Sequence, residues 1–406
     1  MPGLLEGIKV VSTELMEAVP VASLWMADWG AEVIKIEPIS GDALRDVWKP
    51  RNPSGVKQTA YNSVNWPYQL INRNKKGMAL DLKKEEGRNI LYKLIQKADV
   101  FMCNYQVNSL QRLKLDYDTL SKLNPGLIYA LISGYGSKGP DKDSAGLDWA
   151  SGWSRSGWQD LLREPDGPPL MFPVGAIDRG IAAPHLLAGI LAALLYRERT
   201  GKGQRLEVSL FQSSVWTIAL PIQNAIMGIP TSKYDHKKAA NPLAGIYHTK
   251  DNRWIVLAML WPDPYWHGFC QAIDRLELEN NPRFNSKESR AENCEELIRI
   301  IDEIFATKTM KEWDTNLRKY NLMYSLVQNP SEVIDDPQAL ENDFFVELAH
   351  PAGKAKTLAT PVKFYQNPAS IRSPAPEIGQ HNEEILLGLG YSRNDIARLK
   401  DQGVIP

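Results

Sequence analysis

The first third of the chain alternates short β-branched runs with helix-periodic ones, and few folds tolerate that order. "GIKVVS" (7–12) reads as a strand. "VASLWMADWG" (21–30) has helical spacing and stops at Gly30, a natural helix C-terminal residue. "AEVIKIE" (31–37) is a second strand. "EEGRNILYKLIQKA" (85–98) places Ile90, Leu91, Leu94 and Ile95 on one helical face. "DVFMCN" (99–104) follows as a strand, "DYDTLSKLN" (116–124) as a short helix and "GLIYALIS" (126–133) as another strand. Strands separated by helices predict a parallel sheet covered on both faces. After a long apolar run, "QRLEVSLFQSSVWTIAL" (204–220) returns to strand and then helix.

The text changes near 228–245, "GIPTSKYDHKKAANPLAG", which reads as a linker. "IYHTKDNRWIVLAML" (246–260) predicts a hairpin with Asp251-Asn252 at its turn, and three helix-like pieces follow. A smaller α+β domain is expected there. Past residue 330, "LATPVKF" reads as a return strand and "PEIGQHNEEILLGLGYSRNDIARL" as two short helices that dock back on the first domain. The expected division is 1–227 for the large domain, 228–330 for linker and small domain, and 331–406 for the return.

Composition narrows the function. Lys and Arg number 47 against 48 Asp and Glu, so no basic surface argues for nucleic acid. Three scattered cysteines form neither a disulfide framework nor a zinc knuckle, and a reducing cytoplasm is expected. The start "MPGLLEGIKVV" lacks a signal pattern. No apolar run is expected to span a bilayer; Ile181–Tyr196 contains Pro184 and His185 and reads as a buried helix. The turn after the first strand, "STELMEAVP", has no glycine to let backbone approach a pyrophosphate. There is no Walker loop, HExxH, CxxC or G-x-S-x-G, and the six histidines lack metal-ligand spacing, so no metal is expected.

Blocks in one order along the chain carry a resemblance. "GIKVV" with "WGAEVIKIE", "NRNKKGMALDLKKEEG", "ADVFMCNYQVNSLQRLKLDYDTL", "LISGYGSKGPDKD", "AGILAALLYRERTGKGQRLEVSL" and "IGQHNEEILLGLGYSRNDI" resemble the family III CoA-transferases, the formyl-CoA and carnitine CoA-transferase group, over almost the whole length. The resemblance implies an α/β fold: a Rossmann-like parallel-sheet large domain built from both chain ends, a smaller α+β domain between, and two chains threaded as an interlocked dimer. It implies coenzyme A and acyl-CoA as substrates, with no permanently bound cofactor. Glu17 and Ala18 fall where the first turn meets the pantetheine. Asp81, Leu82 and Lys83, then Asn104, Tyr105 and Arg112, fall where CoA is held. Gly134 and Tyr135, or the helix N-terminus ahead of Ile181, fall where an oxyanion would be met.

The catalytic residue implied by the resemblance is an Asp just before "LLAGILAALLYRERTGKG", and Asp178 in "PVGAIDRG" is the carboxylate in that place. With an ordinary pKa of about 3.9, such a side chain is expected to be anionic at neutral pH and to need no base. The bland reading is a turn or capping Asp. Pro184 argues against it, because proline in the first turn puts the cap past Asp178. The motif departs from the family in spacing: Ile177 precedes Asp178, no glycine lies four residues on, and Gly189 is one residue too far. Two readings follow, a one-residue insertion with Asp178 still aimed, or a partner-dependent subunit of a heteromeric CoA-transferase. An acyl-CoA racemase is disfavoured because Leu147 stands where a proton-carrying His would. Trp149, Trp153 and Trp158, singly core residues, together suit a bulky or aromatic acyl group.

Overall fold

The computed structural model describes residues 3–47, 63–171, 175–231 and 233–406. It resolves into two compact units, one of Met1–Asp160, Met171–Pro230 and Asn342–Pro406, the other of Leu161–Leu170 and Thr231–Glu341. The second unit thus runs past residue 330, where the sequence had placed the boundary, and takes in a short piece of the first span.

The first unit carries a six-stranded, all-parallel sheet: β1 (Lys9–Thr13), β2 (Glu32–Glu37), β3 (Lys76–Ala79), β4 (Val100–Cys103), β5 (Ile128–Ser133) and β6 (Gln204–Ser209), in the order β3-β2-β1-β4-β5-β6. Because side chains alternate along a strand, consecutive residues supply two different cores. Val10, Val100, Ile128 and Ala130 face one, with helix α1 (Ala18–Asp28) and the helix Ala183–Thr200. Val11, Phe101, Tyr129 and Leu131 face the other, with the helix Glu85–Ile95. The stretch Asp178–Thr200 is, against expectation, long and apolar enough to cross a membrane by length and composition. Leu186, Leu187, Ile190 and Ala193 are buried in the first core, so one face of it is a core face.

The tail docks on backbone groups around β3. Asn382 accepts from the Ala79 amide at 2.9 Å, His381 Nδ1 from the Gly77 amide at 3.0 Å, and the Asp81 amide donates to the Val404 carbonyl at 2.9 Å. Ile385, Leu386, Ile396 and Leu399 fill the second core. "LATPVKF" is not the return strand. The strand is Gly353–Leu358, paired antiparallel with Phe345–His350 in a separate two-stranded sheet, and it stops three residues before Pro361, which has no amide to extend a ladder. The second unit holds a three-stranded antiparallel sheet of Ile246–His248, Trp254–Leu257 and Tyr324–Leu326, with Asn252 at φ +58° in the hairpin turn.

Under the carboxyl ends of β1 and β2 lies a buried ionic lattice. Lys75 Nζ donates to Glu14 Oε1 at 2.6 Å and to the Pro20 carbonyl at 2.8 Å. Lys35 Nζ donates to Asp42 Oδ2 at 2.6 Å, and Asp42 Oδ1 accepts from the Met16 amide at 3.2 Å. Burial raises the Glu14 carboxyl, and the charges of Lys75 and Lys35 more than offset it. The lattice pins the turn between β1 and α1, where Met16 takes φ +62°, a conformation L residues rarely adopt. Replacing Lys75 with Ala leaves the Glu14 carboxylate buried and uncompensated; chemical denaturation is expected to show a loss of about 3–5 kcal/mol.

Candidate active site

β1 and β4 are neighbours at the point where strand order reverses. Their following segments diverge, and in open parallel sheets such a crevice outside the carboxyl ends is where ligands bind. A cavity of about 330 Å³ occupies this place. Leu15–Ala18 line it after β1, Asn104–Gln106 after β4, and Ile132–Gly134 at the end of β5. Lys142, Ser144, Gly146–Trp149, Asp178 and Leu210 complete the wall.

Close backbone packing shapes this wall. A Cβ on Gly134 would collide with Gly146, and one on Gly146 with Gly134, so the loop 134–146 closes only with glycine at both ends. Asp148 holds the segment ahead of Asp178: its carboxylate accepts from the Gly175 amide at 2.7 Å and the Ile177 amide at 3.1 Å. Gly175 sits at φ +83°, and a Cβ there would run into Glu17 and Arg179, which form an ion pair. From Asp178 to Ala182 the chain winds as a π-helical turn, with the Ala183 amide donating to the Asp178 carbonyl five residues back, before the α-helix Ala183–Thr200 begins. A π turn holds one more residue than an α turn, which is a physical place for the extra step between Asp178 and Gly189.

Asp178 itself departs from expectation. Its Oδ1 is buried without a hydrogen-bond partner among the described residues. Burial, then the nearby charges of Asp148 and Glu17, push its carboxyl up to about 8, with Arg179 opposing them. The side chain therefore holds a proton at neutral pH and is not the ready anion inferred from its ordinary value.

The structure brings Glu17, Ala18, Asn104, Tyr105, Gly134 and Asp178 to one cavity. Asn104 is also a clamp: its Oδ1 accepts from the Leu15 amide at 3.1 Å and its Nδ2 donates to the Leu15 carbonyl at 2.7 Å, tying β4 to the turn after β1. Asp81, Leu82, Lys83, Arg112 and Tyr135 are not in the cavity lining. Asp81 Oδ1 accepts from the Lys83 amide at 3.0 Å, Leu82 is buried in the second core, and Lys83 is exposed. Arg112 is exposed with Nη2 3.3 Å from Ser109 Oγ, and Tyr135 lies under the Arg155 guanidinium. Of the three tryptophans only Trp149 lines the cavity. Trp153 is buried and packs edge-on against Trp158, whose indole donates to the Ser214 carbonyl. The sequence reading assigned no role to Asp148 or Lys142; an Asp two residues after a glycine that meets another glycine is visible only once the loop is closed.

The raised Asp178 carboxyl has a thermodynamic consequence. Below about 3.8 folded and unfolded chains both keep the proton; between there and about 8 only the folded chain does. The stability this group lends is complete below the lower value and is lost as pH rises through the upper one. Asp178→Asn is expected to raise the melting temperature above pH 8, with the gain shrinking to nothing as pH falls toward 4, read by thermal denaturation across pH.

Known proteins share this architecture. Residues 5–382 match the family model described as CoA-transferase family III. The chain is 36% identical to the (R)-2-hydroxy-4-methylpentanoate CoA-transferase of Clostridioides difficile, over 99% of both chains. It is 32% identical to the cinnamoyl-CoA:phenyllactate CoA-transferase of Clostridium sporogenes, over 99% of this chain and 97% of that one. A CaiB/BaiF family protein from Brucella suis superposes with a TM-score of 0.82 at 26% identity, covering 96% of this chain and 100% of the other. Rv3272 of Mycobacterium tuberculosis does so with 0.81 at 28% identity, covering 95% and 99%. A six-stranded parallel sheet, a cavity at its switch point and these matches along the length place the chain in CoA-transferase family III, as a CoA-transferase acting on CoA thioesters.

Proposed function

We propose that the chain moves CoA from an acyl-CoA thioester to a free carboxylic acid bearing a bulky branched or aryl side chain, with Asp178 as the covalent nucleophile. The observation that carries this is the carboxyl of Asp178, with one oxygen buried and unpartnered among the described residues, in the wall of a cavity to which Leu15, Met16, Leu147 and Trp149 bring apolar surface beside the polar Glu17, Asn104, Lys142 and Asp148. Two similar proteins are named for 2-hydroxy-4-methylpentanoate and for phenyllactate, acids of this shape. Apolar walls supply binding energy without competing for the reacting carboxylate.

In the proposed sequence Asp178 gives its proton to solvent before the thioester seats, and its carboxylate oxygen adds to the thioester carbonyl. A C–O bond forms, the C–S bond breaks, and CoA leaves as thiolate from a mixed anhydride. The thiolate then adds to the Asp178 carbonyl; the anhydride C–O bond breaks and the donor acid leaves as carboxylate. Asp178 is left as a CoA thioester. The acceptor carboxylate attacks that thioester, and the same steps run in reverse. Survival of the two acyl intermediates requires that the bound substrates keep water out of this cavity. Gly134, in the cavity wall, is where we place the oxyanion contact. The CoA contacts assigned by resemblance to Asp81, Lys83 and Arg112 then belong to parts of CoA outside this cavity.

We carry the interlocked dimer over as part of this reading. The helix Ala219–Ile226 has no buried residue, and Trp216, Leu220, Ile226 and Met227 are exposed around it. So much unpartnered apolar surface on a short segment suits contact with a second chain, the same or a related one.

The test is covalent. The chain alone is incubated with straight, branched and aryl acyl-CoA thioesters, treated with hydroxylamine and digested for mass spectrometry. A hydroxamate at Asp178 is expected, with transferase activity lowered at least about a thousandfold in Asp178→Ala. Label on another residue contradicts the assignment. Label that appears only with a related second chain present identifies a partner-dependent subunit.

A further inference from the structure

The charges around Asp178 are unbalanced in a way the transfer chemistry does not require. Among the described residues three carboxyl groups, those of Glu17, Asp148 and Asp178, share the site with one guanidinium, Arg179, which adjoins Asp178 in sequence and pairs with Glu17. Asp148 is committed to two backbone amides. Glu17 is only 2% exposed, is seated beside Gly175 where no Cβ fits, and has no capping hydrogen bond to α1 from its own side chain. It pairs with Arg179 and sits against the turn that presents Asp178. The elements packed on the π turn bring little else that titrates. The helix Ala183–Thr200 contributes His185 near its start, 3.1 Å from Ser213 Oγ. The helix Leu210–Thr217 has no titratable side chain, and the one on α1, Asp28, is taken by Arg73 at 2.7 Å. Across the cavity stands Lys142, exposed on its loop.

We propose that Glu17 and Arg179 act as an ionic couple that sets the charge on Asp178: Glu17 holds the Asp178 carboxylate at high energy, Arg179 limits that effect, and acylation relieves it. The proposal rests on Asp178 being the nucleophile. When Asp178 attacks, its negative charge passes to the departing thiolate; when the thiolate returns, the charge leaves on the donor carboxylate, and Asp178 is a neutral thioester. Repulsion from Glu17 acts on the carboxylate and not on the thioester. A like charge next to the nucleophile thus raises its basicity and, at pH values where Asp178 is ionised, favours the covalent intermediate over the free enzyme. Glu17 touches no reacting atom in this account; it is a positioning and tuning residue acting through Arg179 and through space.

Opposite substitutions must then act in opposite directions. The measurement is the pH dependence of hydroxylamine-trapped acylation at Asp178, with cinnamoyl-CoA and 4-methylpentanoyl-CoA as the thioesters. Relative to the parent enzyme, Glu17→Gln is expected to move the rising limb to lower pH by about one unit or more and, on the plateau above the limb, to lower the fraction acylated at equilibrium. Arg179→Gln is expected to move it to higher pH, and Arg179→Lys to bring it back toward the parent. A merely structural loss would weaken binding or folding without this change of sign. If Glu17→Gln does not fold by circular dichroism, the Arg179 pair reports alone. Limbs that coincide with the parent's, or that shift in one direction for both sites, overturn the couple. A parent enzyme that is not labelled at Asp178 overturns the nucleophile assignment, and the couple with it.

Discussion

The reversal of strand order between β1 and β4 is the constraint on which the site depends. Two adjacent parallel strands send their chains away on opposite faces of the sheet, and the gap at their carboxyl ends cannot be closed by either connection. In many such folds a glycine turn lets a phosphate into the gap. Here the turn after β1 carries Glu14, Leu15, Met16 and Glu17, and its unusual backbone at Met16 is held by Asp42 and by the Glu14–Lys75 pair beneath it. Removing two ion pairs from water is expensive, and the lattice is tolerable because every charge in it has a partner of opposite sign at hydrogen-bond distance. Its return is a rigid cavity wall rather than a mobile loop.

The opposite wall is built by a second device. Asp148 reaches across to two amides in the segment 175–177, so the loop after β5 and the start of the long helix are fixed to each other. Gly134 and Gly146 let that loop double back against itself, and Gly175 leaves room for the Glu17–Arg179 pair. The π turn at 178–182 then delivers the chain into a regular helix. Position and protonation of Asp178 are consequences of the same packing: a buried carboxyl whose Oδ1 has no partner among the described residues, near two other carboxyls, resists ionisation.

Much of this was readable in the residues. The periods of "GIKVVS", "AEVIKIE" and "GLIYALIS" specified the strands of the parallel sheet because each strand is buried on both sides and local pattern agrees with global position. The tail strand was misplaced because "LATPVKF" is apolar enough to look extended, whereas the ladder is decided by a partner strand at 345–350 and by the missing amide of Pro361. At the candidate site, Glu17, Asn104 and Gly134 are singled out by the family resemblance, and they line one cavity with Asp178. The charge state of Asp178 was not legible. It depends on desolvation and on carboxylates 30 and 161 residues away in sequence, and no local pattern encodes either distance in space. Nor was the separation of Trp149, in the cavity wall, from Trp153 and Trp158, which pack on each other.

The central claim is that the thioester end of CoA enters the switch-point cavity and meets Asp178 there. A crystal structure of the chain with CoA bound tests it most directly. The account predicts the pantetheine between residues 15–18 and 104–106 with its sulfur within about 4 Å of the Asp178 carboxyl, close to the separation from which acyl transfer proceeds. A CoA whose sulfur lies outside this cavity, with Asp178 turned away from it, would contradict the account.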